Sequence, residues 1–428
     1  MGINFVIPEI NIGGTEGTPT LQFYRRGFLL GTSGTPTWQD IVLSGNGALT
    51  LVNAKQNGLN YVKLFGGCEQ DGTPTPTTPA NIVCNNGTIK WDSVNQTTYV
   101  DGTTETVELT GLNLFDKTDT DHIGGWYVSN GELTIATINR TYVMRCKPNT
   151  TYYIKHCSVV GGCRLFYTEV EDWETGSPCS SMSGSANPSA NTVSSITTSA
   201  NAKWLFANYG RGTGTTATYE EQANDFILSS VELTASTPYE AYYNGGTATA
   251  TDLLAVGDSK DVQSVLDGAV TKNIGIYIVK GTESWNTGND VGTKGYLRFN
   301  MTIDENKAYG FDVLSNCFAS KSSIVGVNES SALISGHGTS TSIFMSFPAS
   351  LLSGDLTTIT GRRDALNAWF SAQYNAGTPV IIMYPLATAT TSSVTAQTLT
   401  TQAGTNIVQI TQASISSLPL EASYKGKN

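Results

Sequence analysis

The residue types best able to bind a metal or act as nucleophiles are seven cysteines and three histidines. Cys146, Cys157, Cys163 and Cys179 fall close together, but their spacings contain no C-x-x-C pair, so a zinc site is not supported. The plain reading is buried thiols that pack as small hydrophobes, with one disulfide inside the cluster if the protein matures in an oxidising place. Cys68, Cys84 and Cys317 are scattered. His122, His156 and His337 sit in no H-E-x-x-H pattern and leave little room for a Ser–His–Asp or Cys–His apparatus. No catalytic residues and no catalytic metal are therefore expected, and no cofactor is implied. Asp116, Asp119 and Asp121 could supply oxygens to a structural Ca²⁺, against the simpler reading of a solvated loop. Glu169, Glu171, Asp172 and Glu174 form a local acidic run. A glycosidase needs two carboxylates on opposite sides of the scissile bond, so this run reads as a charged strand end.

The second chemistry within reach is sugar binding, in which an aromatic face stacks on a pyranose and polar side chains read its hydroxyls. Trp126 follows Gly124-Gly125, which suggests a loop or strand edge. Trp173 lies in the acidic run, a context that suggests exposure. Tyr209 falls in a loop read at 208–216, Trp204 alternates with Phe206 along a strand, and Tyr127 adjoins Trp126. These five are the candidate carbohydrate-binding residues, although a Trp in a β-sandwich more often belongs to the core. Arg25-Arg26 stands out in an acidic chain as a candidate attachment point to an acidic partner, against the reading of an ordinary amphipathic strand.

The elements that must hold these residues read as strands. The chain has 428 residues, enough for two to four domains at roughly 100–200 residues each. Charged residues are 14%, against about 25% in an ordinary domain, and glycine is frequent. Short β-branched and aromatic runs recur between Gly, Asn, Asp and Pro, a spacing of sandwiches rather than of parallel α/β sheets. One helix is predicted near 362–375, where Leu366, Trp369, Phe370 and Gln373 or Tyr374 share a face. Thr360 or Asp364 is the expected cap, and the helix should cover one face of a C-terminal sheet. Weaker helical signals lie at 261–267 and 47–57. The segment GTPT occurs at 17–20, 34–37 and 72–75, and the run 72–79 reads as a semi-rigid linker.

The expected fold is mainly β and multidomain, with a central β-sandwich and a C-terminal β-rich domain carrying one helix. The expected units are an N-terminal module at 1–70, a linker with connecting strands at 71–109, a sandwich at 110–246 and a β-rich domain at 247–390. An extended Thr/Ser-rich segment at 391–428 would form a strand or order against a partner. A net charge of −11 argues against a nucleic-acid partner. No stretch is apolar and long enough for a membrane helix, and the start lacks the basic and apolar regions of a signal peptide.

Five landmarks, in order, carry a resemblance. They are Tyr61–Pro76, Asn113-Leu114-Phe115-Asp116, Lys147–Ile154, Glu232–Tyr242 and Gly281–Trp285. The set resembles minor structural proteins of bacteriophages that infect Gram-positive and gut bacteria. The resemblance spans roughly 60–390 and departs from the family pattern at Thr234. It implies a virion location, a tail or fibre role, virion attachment through the N-terminal module at 1–70, and a jelly roll at 110–245 similar to carbohydrate-binding modules. Three functions are in play. The first is a fibre or receptor-binding component that docks host surface glycans. The second is a head-fibre, decoration or baseplate protein that binds only other virion proteins. The third, disfavoured by the lack of a catalytic set, is a polysaccharide depolymerase. Proteins of the first kind are commonly trimers, so a homo-oligomer is expected, without membrane insertion.

Overall fold

The structure is a computed structural model that describes residues 38–44 and 48–426, apart from short segments at 103–105, 130–131, 136–138, 157–162, 172, 174–181, 187–190, 212–216, 292–293, 325–328 and 411–418. The fold is mainly β, built of several antiparallel sheets with two α-helices among the described residues.

The largest sheet has ten strands. Its order runs Asn244–Thr249, Thr106–Gly111, Gly404–Ile410, Ala48–Phe65, Val262–Ser264, Ala269–Val279, Val380–Ser393 and Leu314–Ser315. Pro419–Gly426 also pairs with Ala48–Phe65, and Trp38–Ser44 pairs with Pro419–Gly426. The 391–428 stretch therefore supplies strands to its own chain's sheet. The helical signal at 47–57 is overturned because Ala48–Leu51 lies in antiparallel register with Asn406–Gln409. Ladder bonds and burial of Leu51 and Ala54 outweigh a weak local preference. The signal at 261–267 fails likewise: Val262–Ser264 bridges Ala48–Phe65 and Ala269–Val279, and a turn follows. The predicted linker at 71–109 contributes three strands, Ile82–Cys84, Gly87–Asp92 and Thr97–Gly102, to a four-stranded sheet begun by Cys68–Gln70.

The central region is a β-sandwich. One sheet orders Ser183–Ala186, Arg164–Thr168, Trp204–Arg211, Asn139–Arg145 and Ile123–Gly124; the other orders Val193–Thr197, Thr151–His156 and Phe226–Ser229. The chain crosses repeatedly between them. Period-two alternation explains the layers. Tyr142, Leu165 and Leu205 face Tyr152, Ile154 and Phe226 across the sandwich. Their neighbours Val143, Phe166 and Phe206 face the opposite way, into a second apolar cluster with Trp126, Leu133 and Trp173.

In the C-terminal region a five-stranded sheet shares one core with the helix Ile359–Asn375. Leu366 and Phe370 are buried as their spacing predicts, with Trp369 packed beside them. The cap is Thr358, whose hydroxyl accepts the Gly361 N–H at 3.0 Å, rather than Thr360 or Asp364.

The sequence landmarks are structural fastenings. Gly66 allows the backbone to pass against Leu254, where a Cβ would fall 2.2 Å from the carbonyl oxygen. Gln70 donates to the Ser315 and Phe318 carbonyls at 2.6 and 2.7 Å. In the third landmark, the Tyr152 hydroxyl accepts the Lys147 N–H at 2.9 Å and ties off the turn at Asn149. In the fifth, Glu283 accepts the Lys280 and Gly281 N–H groups, each at 2.7 Å. Trp285 stacks on Phe370 with ring centroids 5.0 Å apart and donates to Asn367 at 2.6 Å.

Candidate functional site

The structure distributes the five candidate sugar-binding residues unevenly. Trp126 and Trp173 are each only 6% exposed and cross at 5.6 Å in a T-shaped contact. Trp173 also meets Phe206 at 5.1 Å. Trp126 opens a strand, as its context suggested, but its ring is buried; the expectation that Trp173 is exposed is corrected, for a reason that lies in the sheet's outer face. Val143, Phe166 and Phe206 need cover there, and the hairpin of Trp126–Ser129 with Glu132–Ile135 helps to supply it. Gly124 is small because the Trp126 ring folds back onto it, 2.3 Å from where a Cβ would lie. The chain turns at Glu171, whose carboxylate is held outward by Arg145 at 2.9 Å and Lys203 at 2.6 Å, and Trp173 drops inward. Trp204 is half-buried beside this cluster, with the Arg145 guanidinium 4.0 Å over its ring and its indole N–H on the Glu171 carbonyl. Tyr127 lies in the hairpin opposite Thr134. Arg25 and Arg26 lie outside the described residues.

Tyr209 leads to a different place. The residue is 4% exposed and its ring packs, tilted, against Phe115 within the sandwich core at 4.8 Å, yet it also lines an open cleft of about 410 Å³. The cleft lies between the turn after Asp116 and a short helix, Tyr219–Ala223, which the sequence reading missed. The signal was present in Thr218-x-x-Glu221, a capping box in which the Thr218 hydroxyl accepts the Glu221 N–H at 3.2 Å and the Glu221 carboxylate accepts the Thr218 N–H at 2.7 Å. That cap sets Tyr219 at the helix start. Gly210 gives the Tyr219 ring room, since a Cβ there would lie 2.7 Å from it, and the Arg140 guanidinium sits 4.4 Å over the ring.

Lys117 and Thr118 come from the turn, and Lys117 donates to the Asn224 side chain across the cleft. Thr120 and Glu220 add a hydroxyl and a carboxylate. Burial pushes the Tyr209 hydroxyl up to about 12, so it remains a neutral donor near neutral pH. The site thus offers one cation-braced aromatic ring with ammonium, amide, hydroxyl and carboxylate groups around it.

Two of the three acidic residues beside this cleft are occupied by local contacts, and Asp121 is exposed. Asp116 accepts the Thr118 N–H and hydroxyl at 2.9 and 2.7 Å, and Asp119 pairs with the His122 ring at 2.8 Å. Among the described residues no group of three His, Cys, Asp or Glu side chains is placed to hold a metal ion.

No family model matches the chain, and no curated protein matches it. A comparison with solved structures found "Structure of infectious bursal disease virus Gx strain" at 11% identity, over 96% of this chain and 81% of that one, with a TM-score of 0.08. That score signifies no shared fold and carries no argument.

Behind the cleft, His156 is buried with its ring 5.4 Å from Phe226. Burial holds its pKa below the ordinary 6.5, with Asp225 and the Tyr209 backbone opposing the shift. Unfolding restores the ordinary value, so the unfolded chain takes up a proton that the folded chain refuses. Stability is therefore full above about pH 6.5 and falls as the pH drops below it. We expect His156→Leu to flatten this limb in urea unfolding followed from about pH 7 to 5. An unchanged acid slope would assign the effect to other groups.

Proposed function

We propose that this chain is a phage virion component, a fibre or receptor-binding protein, whose central sandwich docks a host surface saccharide in the Tyr209–Tyr219 cleft. The observation that carries the binding part is the cleft's chemistry. The Tyr219 ring, fixed by Arg140 and Gly210, faces space bordered by Lys117, Thr118, Thr120, Glu220 and Asn224. Such a set can stack on one sugar ring and exchange hydrogen bonds with its hydroxyls. The virion part rests on the ordered landmarks and their resemblance to minor structural proteins of bacteriophages. Attachment through the N-terminal stretch, and a trimeric assembly, follow from that same resemblance.

The test is a bacterial-surface glycan array probed with the full chain. The wild type should retain a defined subset of glycans. Tyr219→Ala should weaken retention about tenfold, equivalent to about 1.4 kcal/mol. A folded wild type that retains no glycan would overturn the binding reading. It would favour the alternative, a head-fibre, decoration or baseplate protein that contacts only other virion proteins. A second surface suits that alternative: Tyr309 and Phe311 are 68% and 43% exposed, beside the turn at Gly338.

A further inference from the structure

Cys68 and Cys84 lie opposite one another on the paired strands Cys68–Gln70 and Ile82–Cys84, and their Sγ atoms are 2.8 Å apart. The hydrogen-bond parity of this ladder is fixed by two bonds. Asn85 N–H donates to the Gly67 carbonyl at 3.1 Å, and Asp71 N–H donates to the Asn81 carbonyl at 2.9 Å. Residues 67 and 85, and 71 and 81, are thus hydrogen-bonded pairs, which makes Cys68 and Cys84 a non-hydrogen-bonded pair. Such pairs bring Cα atoms to about 4.5 Å, inside the range of about 4.4–6.8 Å that a disulfide spans. Register, parity and sulfur approach all agree.

The geometry points to Cys68 and Cys84 as a disulfide-forming pair that closes the 68–84 loop. That loop is docked on the C-terminal region from both arms. Gln70 donates to the Ser315 and Phe318 carbonyls, and Ala80 N–H donates to the Asn316 carbonyl at 2.8 Å. A covalent closure at the loop's base would hold both arms in register on that surface. Cys84 is buried, and its hydrogen bond with Cys68, together with that burial, holds its thiol well above the ordinary range. Cys68 is the partly exposed partner and the one that a small oxidant reaches.

With oxidised glutathione as the oxidant, the Cys68 thiolate attacks one glutathione sulfur. A mixed disulfide forms and one reduced glutathione leaves. The Cys84 sulfur then attacks Cys68 Sγ, loses its proton, and displaces the second glutathione, which takes that proton up. The protein loses two hydrogens and the glutathione disulfide gains them.

The experiment compares the reduced full chain before and after equilibration with oxidised glutathione. Both cysteines lie in the tryptic peptide 64–90, which has no internal Lys or Arg. This peptide should become lighter by two hydrogens and resist alkylation, and a further cut after Glu69 should leave its two halves joined. In Cys68→Ser, Cys84 should remain alkylatable after the same treatment. Full alkylation of both thiols in the oxidised wild type would overturn the proposal, as would a stable glutathione adduct on Cys68 with Cys84 free, or pairing of either with another cysteine.

Discussion

Asn113→Ala should lower the stability of the central sandwich by about 3–5 kcal/mol, because this one side chain closes the domain. Its Oδ1 accepts the Phe115 and Leu228 N–H groups at 3.1 and 3.0 Å, while its Nδ2 donates to the Phe226 and Glu240 carbonyls at 2.9 and 3.0 Å. Both amide hydrogens and both lone pairs of the oxygen are used, and the residue is buried. Each bond contributes about 1 kcal/mol net, and truncation also strands three buried backbone groups, at Phe115, Phe226 and Leu228, where water cannot readily replace the lost partner, besides the part-buried Glu240 carbonyl. The four partners join the entry of the domain to its last strand and to the exit at Glu240. Asn113→Asp separates the halves of this network. It keeps both acceptor contacts but turns a carboxylate toward two carbonyls, so it should destabilise about as strongly near neutral pH. Hydrogen exchange at the Phe115 and Leu228 amides, read with the sandwich's urea transition, checks the claim. A loss under about 1 kcal/mol would show that the domain closes without this network.

Asn113 also shows what the sequence makes legible. It opens the Asn-Leu-Phe-Asp landmark, and Gly66, Gln70, Glu283 and Trp285 belong to others. Each of these residues sits where the backbone must turn, approach closely or be hydrogen-bonded by a side chain. Such landmarks report how the chain folds and say little about what it binds. The β-rich class and the C-terminal helix were legible for a similar reason: they are local periodicities. The partnership of Ala48–Phe65 with Gly404–Ile410 was not, because register between segments so far apart leaves no local pattern. The aromatics were ambiguous in another way. A Trp on a strand has the same sequence context whether its ring meets a sugar or fills a gap, and only the uncovered face of Val143, Phe166 and Phe206 decides for Trp126 and Trp173. Tyr219, the better placed ring, was hidden in a five-residue helix whose cap was readable but whose period was too short to register.

Asp261 carries the other large effect, at a position where a helical signal concealed a buried carboxylate. One oxygen accepts the Asn273 and Ile274 N–H groups at 2.7 and 3.1 Å, and the other accepts the Leu254 N–H at 3.1 Å. Lys272 lies 3.2 Å from the second oxygen. The backbone of Asp261 works alongside, taking the Gly66 N–H at 2.9 Å and donating to the Leu254 carbonyl at 2.8 Å. Three segments of the chain therefore meet at one residue, beside the point where Gly66 crosses Leu254. Asp261→Ala should cost about 3–5 kcal/mol, since it leaves three inward N–H groups unpaired and removes the anion that faces Lys272. Asp261→Asn should lie between that variant and the wild type: it keeps one carbonyl oxygen for part of the set and loses the charge. Lys272→Met removes the ion pair, together with the ammonium's hydrogen bond to the Asp252 carbonyl, and leaves the three backbone bonds of Asp261 in place. The ammonium is about one-third exposed, so its removal alone should cost less than about 1 kcal/mol. If Lys272→Met proves as damaging as Asp261→Ala, the ion pair and not the trio of backbone bonds holds this junction together. A double-mutant cycle on urea unfolding decides between them.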